Sequence, residues 1–272
     1  MTGDPYPESG RPSGCDTTQR PTFDWPTLRG LGRSLAIYYG VPFRGLRLTR
    51  FYRRLLGPGT VYFDIGAHVG HRVRAALKTG ARVVAVEPQP LFFNLLDRLY
   101  GRSDRVTLVS AAMGAEPGRI TLRISRTHPT VSTVDPDWVT TVQSDPGFAE
   151  VQWDRRVDVA VTTLDGLIAQ YGVPDFCKID VEGYEAEVLR GTAQALPHIS
   201  FEALPAAPDA AQRCLTLLES RGDYRFNLVR GEANAFAFDT WQTAATMQDR
   251  LTAETGPGDV HARLAHLGPV GT

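Results

Sequence analysis

Along this chain the spacing of apolar residues switches back and forth between two periods, one that fits strands and one that fits helices. Val61, Phe63 and Ile65 alternate as a strand does, and after a short loop Val69, Val73, Ala76 and Leu77 form a helical stripe that stops near Gly80. Residues 83–86 are a continuous apolar run, as expected of a parallel strand covered on both faces, and Leu91, Leu95, Leu96 and Leu99 predict the next helix, ending at Gly101. The alternation goes on. Strands are predicted over 106–109, 120–124, 157–161, 176–180 and 199–202, with helices around 164–171, 185–190 and 214–218. Residues 226–229 and 235–238 read as a closing pair of strands with little chain between them, which implies an antiparallel edge. The fold class that follows is α/β: a Rossmann-like three-layer sandwich around a mostly parallel sheet.

The same pattern sets the expected boundaries. Residues 1–26 hold few apolar groups among Pro, Gly, Ser and Thr, and are expected to form a flexible lead. Residues 27–58 predict an N-terminal helical segment whose arginines form a solvated face, 59–240 the main domain, and 241–272 a C-terminal extension. Within the domain, 126–156 breaks the rhythm and is too long for an ordinary connection, so it is expected to be an insertion that acts as a lid or binding loop.

Composition narrows the partners. Net charge over the 272 residues is −1 and no long run of Lys and Arg occurs, which argues against a nucleic-acid partner and for a small-molecule or saccharide one. Cys15, Cys177 and Cys214 lack metal-ligand or disulfide spacing, the first residues lack the apolar core of a signal peptide, and no stretch approaches the roughly eighteen apolar residues of a membrane span. A cytoplasmic protein without a membrane partner is the expectation.

In an open α/β sheet, ligands bind beyond the carboxyl ends of the strands, and the first strand-to-helix loop lies there. DIGAHVG occupies that loop at 64–70: Gly66 lets the chain turn, Gly70 allows close approach of ligand or helix, and Asp64 supports the loop or attracts a cationic group. Glu87, at the end of the second strand, is placed to accept hydrogen bonds from both ribose hydroxyls of an adenosine, with Pro88 and Gln89 bordering the nucleoside. Ser110, Ala111, Ala112 and Met113 reach the same edge and suit an adenine face. The loop lacks the central glycine of GxGxxG, which favours S-adenosylmethionine over NAD(P).

KIDVEGYE, residues 178–185, brings acids to another strand end, and Glu202 closes the strand ISFE; Asp180 and Glu202 are expected to face one crevice. Through FDIGAHVG (63–70), VEPQP (86–90), TTLD (162–165), KIDVEGYEAEVLRG (178–191) and SFE (200–202), the chain resembles the FkbM family of methyltransferases from about Arg33 to Leu264. The resemblance implies a class I methyltransferase fold with a seven-stranded, mostly parallel sheet and an antiparallel edge strand. It also implies S-adenosylmethionine as cofactor and O-methylation of a hydroxyl on a sugar, glycan or secondary metabolite. By position it makes Asp64, Gly66, Ala67, His68, Gly70 and Glu87 the cofactor set and Asp180, Glu182 and Glu202 the acidic cluster.

Methyl transfer requires nucleophile, methyl and sulfur held in line, and a hydroxyl nucleophile must also lose its proton to a nearby carboxylate. Asp180 is the first expectation for that base and Glu202 the second. The same acids suit Mg²⁺, although two carboxylates are an incomplete ligand set, so a divalent ion ranks below the metal-free reading. Lys178 either orients a substrate oxygen or is a strand-end surface cation. His71, His128 and Trp138 have functional and structural readings alike, and Trp153 is expected to anchor the insertion. The alternatives in function are an NAD(P)-dependent oxidoreductase and a non-catalytic nucleoside-binding relative.

Overall fold

The computed structural model describes residues 24–268; the expected lead up to residue 23, Cys15 included, lies outside the described residues. Helix α1 (Trp25–Tyr39) begins at once, capped by the Asp24 carboxylate, which accepts from the Thr27 amide at 3.0 Å, and α2 (Arg44–Leu55) follows. Then come β1 (Val61–Ile65), α3 (His71–Leu77), β2 (Arg82–Val86), α4 (Pro90–Tyr100), β3 (Val106–Val109), β4 (Ala112–Met113) and β5 (Gly118–Ile124). The insertion carries α5 (Pro136–Val142) between two short 3₁₀ turns, before β6 (Arg155–Thr162), α6 (Leu164–Tyr171), β7 (Phe176–Ile179) and α7 (Glu185–Arg190). The chain closes with β8 (His198–Ala203), α8 (Pro208–Glu219), β9 (Tyr224–Arg230), α9 (Ala244–Thr252) and β10 (Gly258–Leu264).

Seven strands form the main sheet in the order β3-β2-β1-β7-β8-β10-β9, parallel except for β10, which runs antiparallel to both of its neighbours. Strand order reverses at β1, so the ends of β1 and β7 open the crevice where such sheets bind ligands. Alternate side chains feed two cores. Phe63, Ile65 and Phe201 pack with α6, α7 and α8, while Tyr62, Val83 and Phe176 pack with α2 and α3. This is the class I methyltransferase sandwich. A smaller sheet, β4-β6-β5, carries the insertion on its own apolar cluster.

The partner of β9 differs from the one expected. Residues 235–238 are not a strand, although Ala237 donates its amide to the Leu228 carbonyl at 2.7 Å and covers the edge locally. The reversed strand is β10, drawn from the segment expected to be a C-terminal extension, and it sits one place in from the edge. Its sequence, GDVHARL, alternates apolar residues with Asp259, His261 and Arg263 and so hides a strand that crosses the middle of a buried layer. Cys177 and Cys214 are buried free thiols. Among the described residues no helix is long and apolar enough to cross a membrane.

Candidate functional site

A cavity of about 220 Å³ opens at the carboxyl ends of β1, β2, β7 and β8, roofed by the insertion and flanked by α1 through Tyr38. Of the residues expected to hold a cofactor, Gly66, His68, Glu87, Pro88, Gln89, Ala111 and Ala112 line it. Asp64, Ala67 and Gly70 do not.

The reasons are local. Ala67 turns into the core below the loop, 2% exposed, and its amide donates to the Val86 carbonyl. Gly70 has φ +76°, and a Cβ there would meet Leu96 and Tyr100 at 2.7 and 2.8 Å, so this glycine serves the packing of α4 against the loop and not a ligand. Asp64 is fully buried and accepts from the Tyr62 hydroxyl at 2.9 Å, the inner end of a chain that begins at Tyr52. Burial pushes its carboxyl up to about 6 against the pull of Arg72. Gly66 does what the sequence asks: at φ +84° a Cβ would stand 1.9 Å from the Asp180 carbonyl, so only glycine lets the first loop pass the end of β7.

Glu87 is 5% exposed, with one carboxylate oxygen accepting from the His68 amide and the other from the Gln89 amide, both at 2.8 Å. Each oxygen keeps a lone pair, since a carboxylate offers about four acceptor positions. Burial pushes this carboxyl up to about 7. His68 adopts a left-handed φ of 50°, which aims its amide at Glu87, and packs its ring edge-on against Phe92 at 3.9 Å. Its burial holds the imidazole neutral, down to about 3, and leaves Nε2 without a partner. The Gln89 side-chain oxygen is likewise unpartnered, while its amide nitrogen donates to Ser132 of the insertion at 3.1 Å. A buried ring nitrogen and a buried amide oxygen without partners, at the mouth of a cavity floored by Gly66, suit a hydroxyl-bearing and amine-bearing nucleoside.

The acids gather on the other side. Asp180, Glu182 and Glu202 present carboxylate oxygens within 4.8 Å of one another. Asp180 is already engaged: Arg72 lies 2.7 Å and Lys178 3.6 Å from the same oxygen, and the two cations hold it below the usual carboxylate range in spite of burial. Lys178 is not the surface cation of one expectation. It is 2% exposed and bonds Asp259 of β10 at 2.9 Å as well as the Ile179 carbonyl. Among the described residues no cation bonds Glu182 or Glu202, and burial drives both carboxyls well above their ordinary range, with repulsion from Glu202 adding to it at Glu182 and from Asp180 at Glu202.

Tyr38, Arg72, Glu232 and Asp259 join the cavity without having been singled out in the sequence. Arg72 sits in the first turn after the glycine loop and was legible by that position alone. Of the histidines, His71 stacks on Tyr38 at 4.2 Å and His128 bonds Arg33 at 2.9 Å; neither lines the cavity.

The insertion is fastened to the acidic loop. Trp153 donates to the Val131 carbonyl at 2.8 Å, the anchoring expected of it, and Trp138 is buried edge-on against Trp153 while covering Gly183, where a Cβ would collide with its ring at 2.1 Å. Thr133, 1% exposed, donates its hydroxyl to the Glu182 carbonyl at 2.7 Å and accepts from the Asp135 amide. Glu182 has φ +55°, so this bond helps hold a strained backbone. Thr133→Val leaves both groups unsatisfied and should cost about 2 kcal/mol. Scanning calorimetry should show the melting temperature falling by roughly 4–8 °C; an unchanged value would mean the loop is held by packing alone.

The methyltransferase FkbM domain family matches residues 64–247. Hexuronic acid methyltransferase AglP from Haloferax volcanii is 31% identical over 144 residues, covering 52% of this chain and 53% of that protein. The chain thus spans about half the length of that curated relative. Among solved structures, the TehB-like SAM-dependent methyltransferase from Corynebacterium glutamicum is 10% identical, with 86% of this chain and 94% of that one covered and a TM-score of 0.43. The O-methyltransferase from Bacillus cereus in complex with SAH is 11% identical, with 86% and 90% covered and a TM-score of 0.42.

Proposed function

The chain belongs to the FkbM methyltransferase family, and from that premise we propose that it uses S-adenosylmethionine to O-methylate a hydroxyl of a sugar, glycan or other small polyol. The observation that carries this reading is the division of one cavity between Glu87 with its unpartnered polar neighbours and an acidic group at the ends of β7 and β8. On this reading Glu87 takes the ribose hydroxyls, His68 offers a ring nitrogen and Gln89 an acceptor oxygen to the rest of the nucleoside, and Gly66, Ala111 and Ala112 give it room. S-adenosylmethionine, when bound, supplies an electrophilic methyl group.

The remaining chemistry falls to the chain. Insertion and Tyr38 shield the reacting atoms from water, while strand ends fixed by the sheet hold the acceptor hydroxyl in line. Proton acceptance moves from Asp180, the first expectation, to Glu202: a carboxylate held low by two cations is a poor base, and one raised by burial and a like-charged neighbour is a better one. Asp180, Arg72 and Lys178 become positioning residues. The domain reading follows suit: residues 59–240 with β10 form the catalytic body, and 126–156 faces the acceptor.

AglP is named for hexuronic acid, which supports a sugar acceptor. Among the described residues the cation that lines this cavity, Arg72, is engaged by Asp180 and is not free for such an acid's carboxylate; a neutral sugar suits the site better. Isothermal calorimetry with S-adenosylhomocysteine against NAD(H) and NADP(H), followed by mass spectrometry of neutral glycosides and glucuronides incubated with S-adenosylmethionine, tests the reading. Homocysteine-nucleoside binding and a one-methyl gain on a neutral glycoside are expected; preference for a nicotinamide cofactor would overturn it.

A further inference from the structure

Helix α1 is built inside out. Its buried positions are Thr27, Gly30 and Ser34, small or polar, and Gly30 lies so close to the insertion that a Cβ would meet the Arg126 carbonyl at 2.1 Å. The opposite stripe, Trp25, Leu28, Gly32, Ala36 and Tyr39, follows helical spacing and is exposed, Trp25 by 73%. At the corner into α2 the exposure continues: Val41, Phe43 and Leu46 stand out at 46, 74 and 61%. Seven of the ten large apolar side chains exposed among the described residues belong to this one stretch, so the pattern is a patch and not the scattered exposure normal for a surface.

Charge is segregated onto the same stretch. From Trp25 to Phe63 the chain has seven arginines and no aspartate or glutamate, against a net charge of −1 for the whole. Arg47, Arg50, Arg53 and Arg54 are exposed along α2 beside the apolar corner, and none bonds an acid among the described residues. An apolar ridge flanked by unpaired arginines matches an interface of acyl chains and anionic headgroups. A second copy of the chain is a poor match, since a self-complementary contact would set arginine against arginine.

We propose that the outer face of α1 and the α1–α2 corner dock this protein on an anionic membrane surface, with Trp25 and Phe43 in the headgroup-acyl boundary and the α2 arginines on lipid phosphates. The expectation of no membrane partner rests on the lack of a long apolar stretch, a signal of spans that a short apolar ridge beside a local excess of arginine does not give. Tyr38 follows Ile37 in this corner and lines the cavity, so docking sets the cavity mouth beside the bilayer. The inference does not depend on the identity of the acceptor.

The test is flotation of the full chain with vesicles of phosphatidylcholine alone and of phosphatidylcholine with 3:1 phosphatidylglycerol, at low and physiological salt. Binding to the anionic vesicles at least tenfold above the neutral ones is expected, weakening with salt. Replacing Arg50, Arg53 and Arg54 together by Ser should lower partitioning about a hundredfold, each arginine contributing roughly a factor of five. Trp25→Ser with Phe43→Ser should lower it by a comparable factor while S-adenosylhomocysteine binding and the melting temperature stay as in the parent; both residues are exposed, so the fold does not need them. Equal recovery with both vesicle types overturns the proposal. So does sedimentation showing a dimer that Phe43→Ser dissociates, or capture of a single-stranded RNA oligonucleotide that anionic vesicles do not displace.

Discussion

Glu87→Gln should weaken S-adenosylhomocysteine binding by about 10²–10³-fold while the protein stays folded. The substitution keeps shape and volume but leaves one oxygen where two are used. In the parent each carboxylate oxygen accepts a backbone amide, from His68 and from Gln89; in the amide variant one of those N–H groups faces an NH₂. The ribose hydroxyls also lose a charged acceptor, and hydrogen bonds to charged groups contribute about 1.5–3 kcal/mol each. Calorimetry at pH 8 reads the effect directly, and unchanged affinity would remove Glu87 from the cofactor site.

The same residue gives a pH signature. Its carboxyl is raised from the ordinary 4.5 to about 7 by burial, and only the ionised form accepts from both hydroxyls. Affinity should therefore be flat above pH 7 and fall towards tenfold per unit below it in the parent, but not in Glu87→Gln. Stability runs the other way. Because the folded value lies above the unfolded one, this group's contribution is fully present below about 4.5 and is lost as pH rises through about 7. The unliganded parent should lose melting temperature relative to Glu87→Gln across that window.

How much of this was legible in the sequence depended on whether a residue's partner was near in the chain or across the sheet. β1, β2 and β7 are apolar runs ended by an acid or glycine, so their strand ends, Glu87 and Asp180, fall on one edge by sequence pattern alone. Lys178 could not be understood that way. Its neighbours in register are Asp64 on β1 and Ser200 on β8, and Ser200 in turn pairs with His261 on β10. A polar row crosses the buried layer under α2 and α3, and β1 and β7 alone each show only one charged residue among apolar ones. Asp259, which neutralises Lys178, belongs to a strand whose alternation resembles a surface segment. At Gly70 the sequence left ligand or helix open for a related reason: a positive φ is legible in a glycine, whereas the thing it makes room for, here Leu96 and Tyr100 of α4, is set by packing.

The division of labour among the three acids leads to the second large effect. Glu202→Gln should slow methyl transfer by about 10²–10⁴-fold, the usual range for losing a general base, with S-adenosylhomocysteine affinity unchanged. Glu182→Gln should do something different. Repulsion runs from Glu202 onto Glu182, while Glu202 itself is raised by burial and then by Asp180, so removing the Glu182 charge should leave the acid limb of the kcat profile in place while the plateau falls only modestly. Asp180→Asn separates a third role. It strips Arg72 and Lys178 of a shared carboxylate, and breaking a buried pair from one side costs about 3 kcal/mol or more, so its loss should appear first in the melting temperature. Full turnover in Glu202→Gln would return the base to Asp180; activity abolished by EDTA and restored by Mg²⁺ would instead make the acids ligands of a metal.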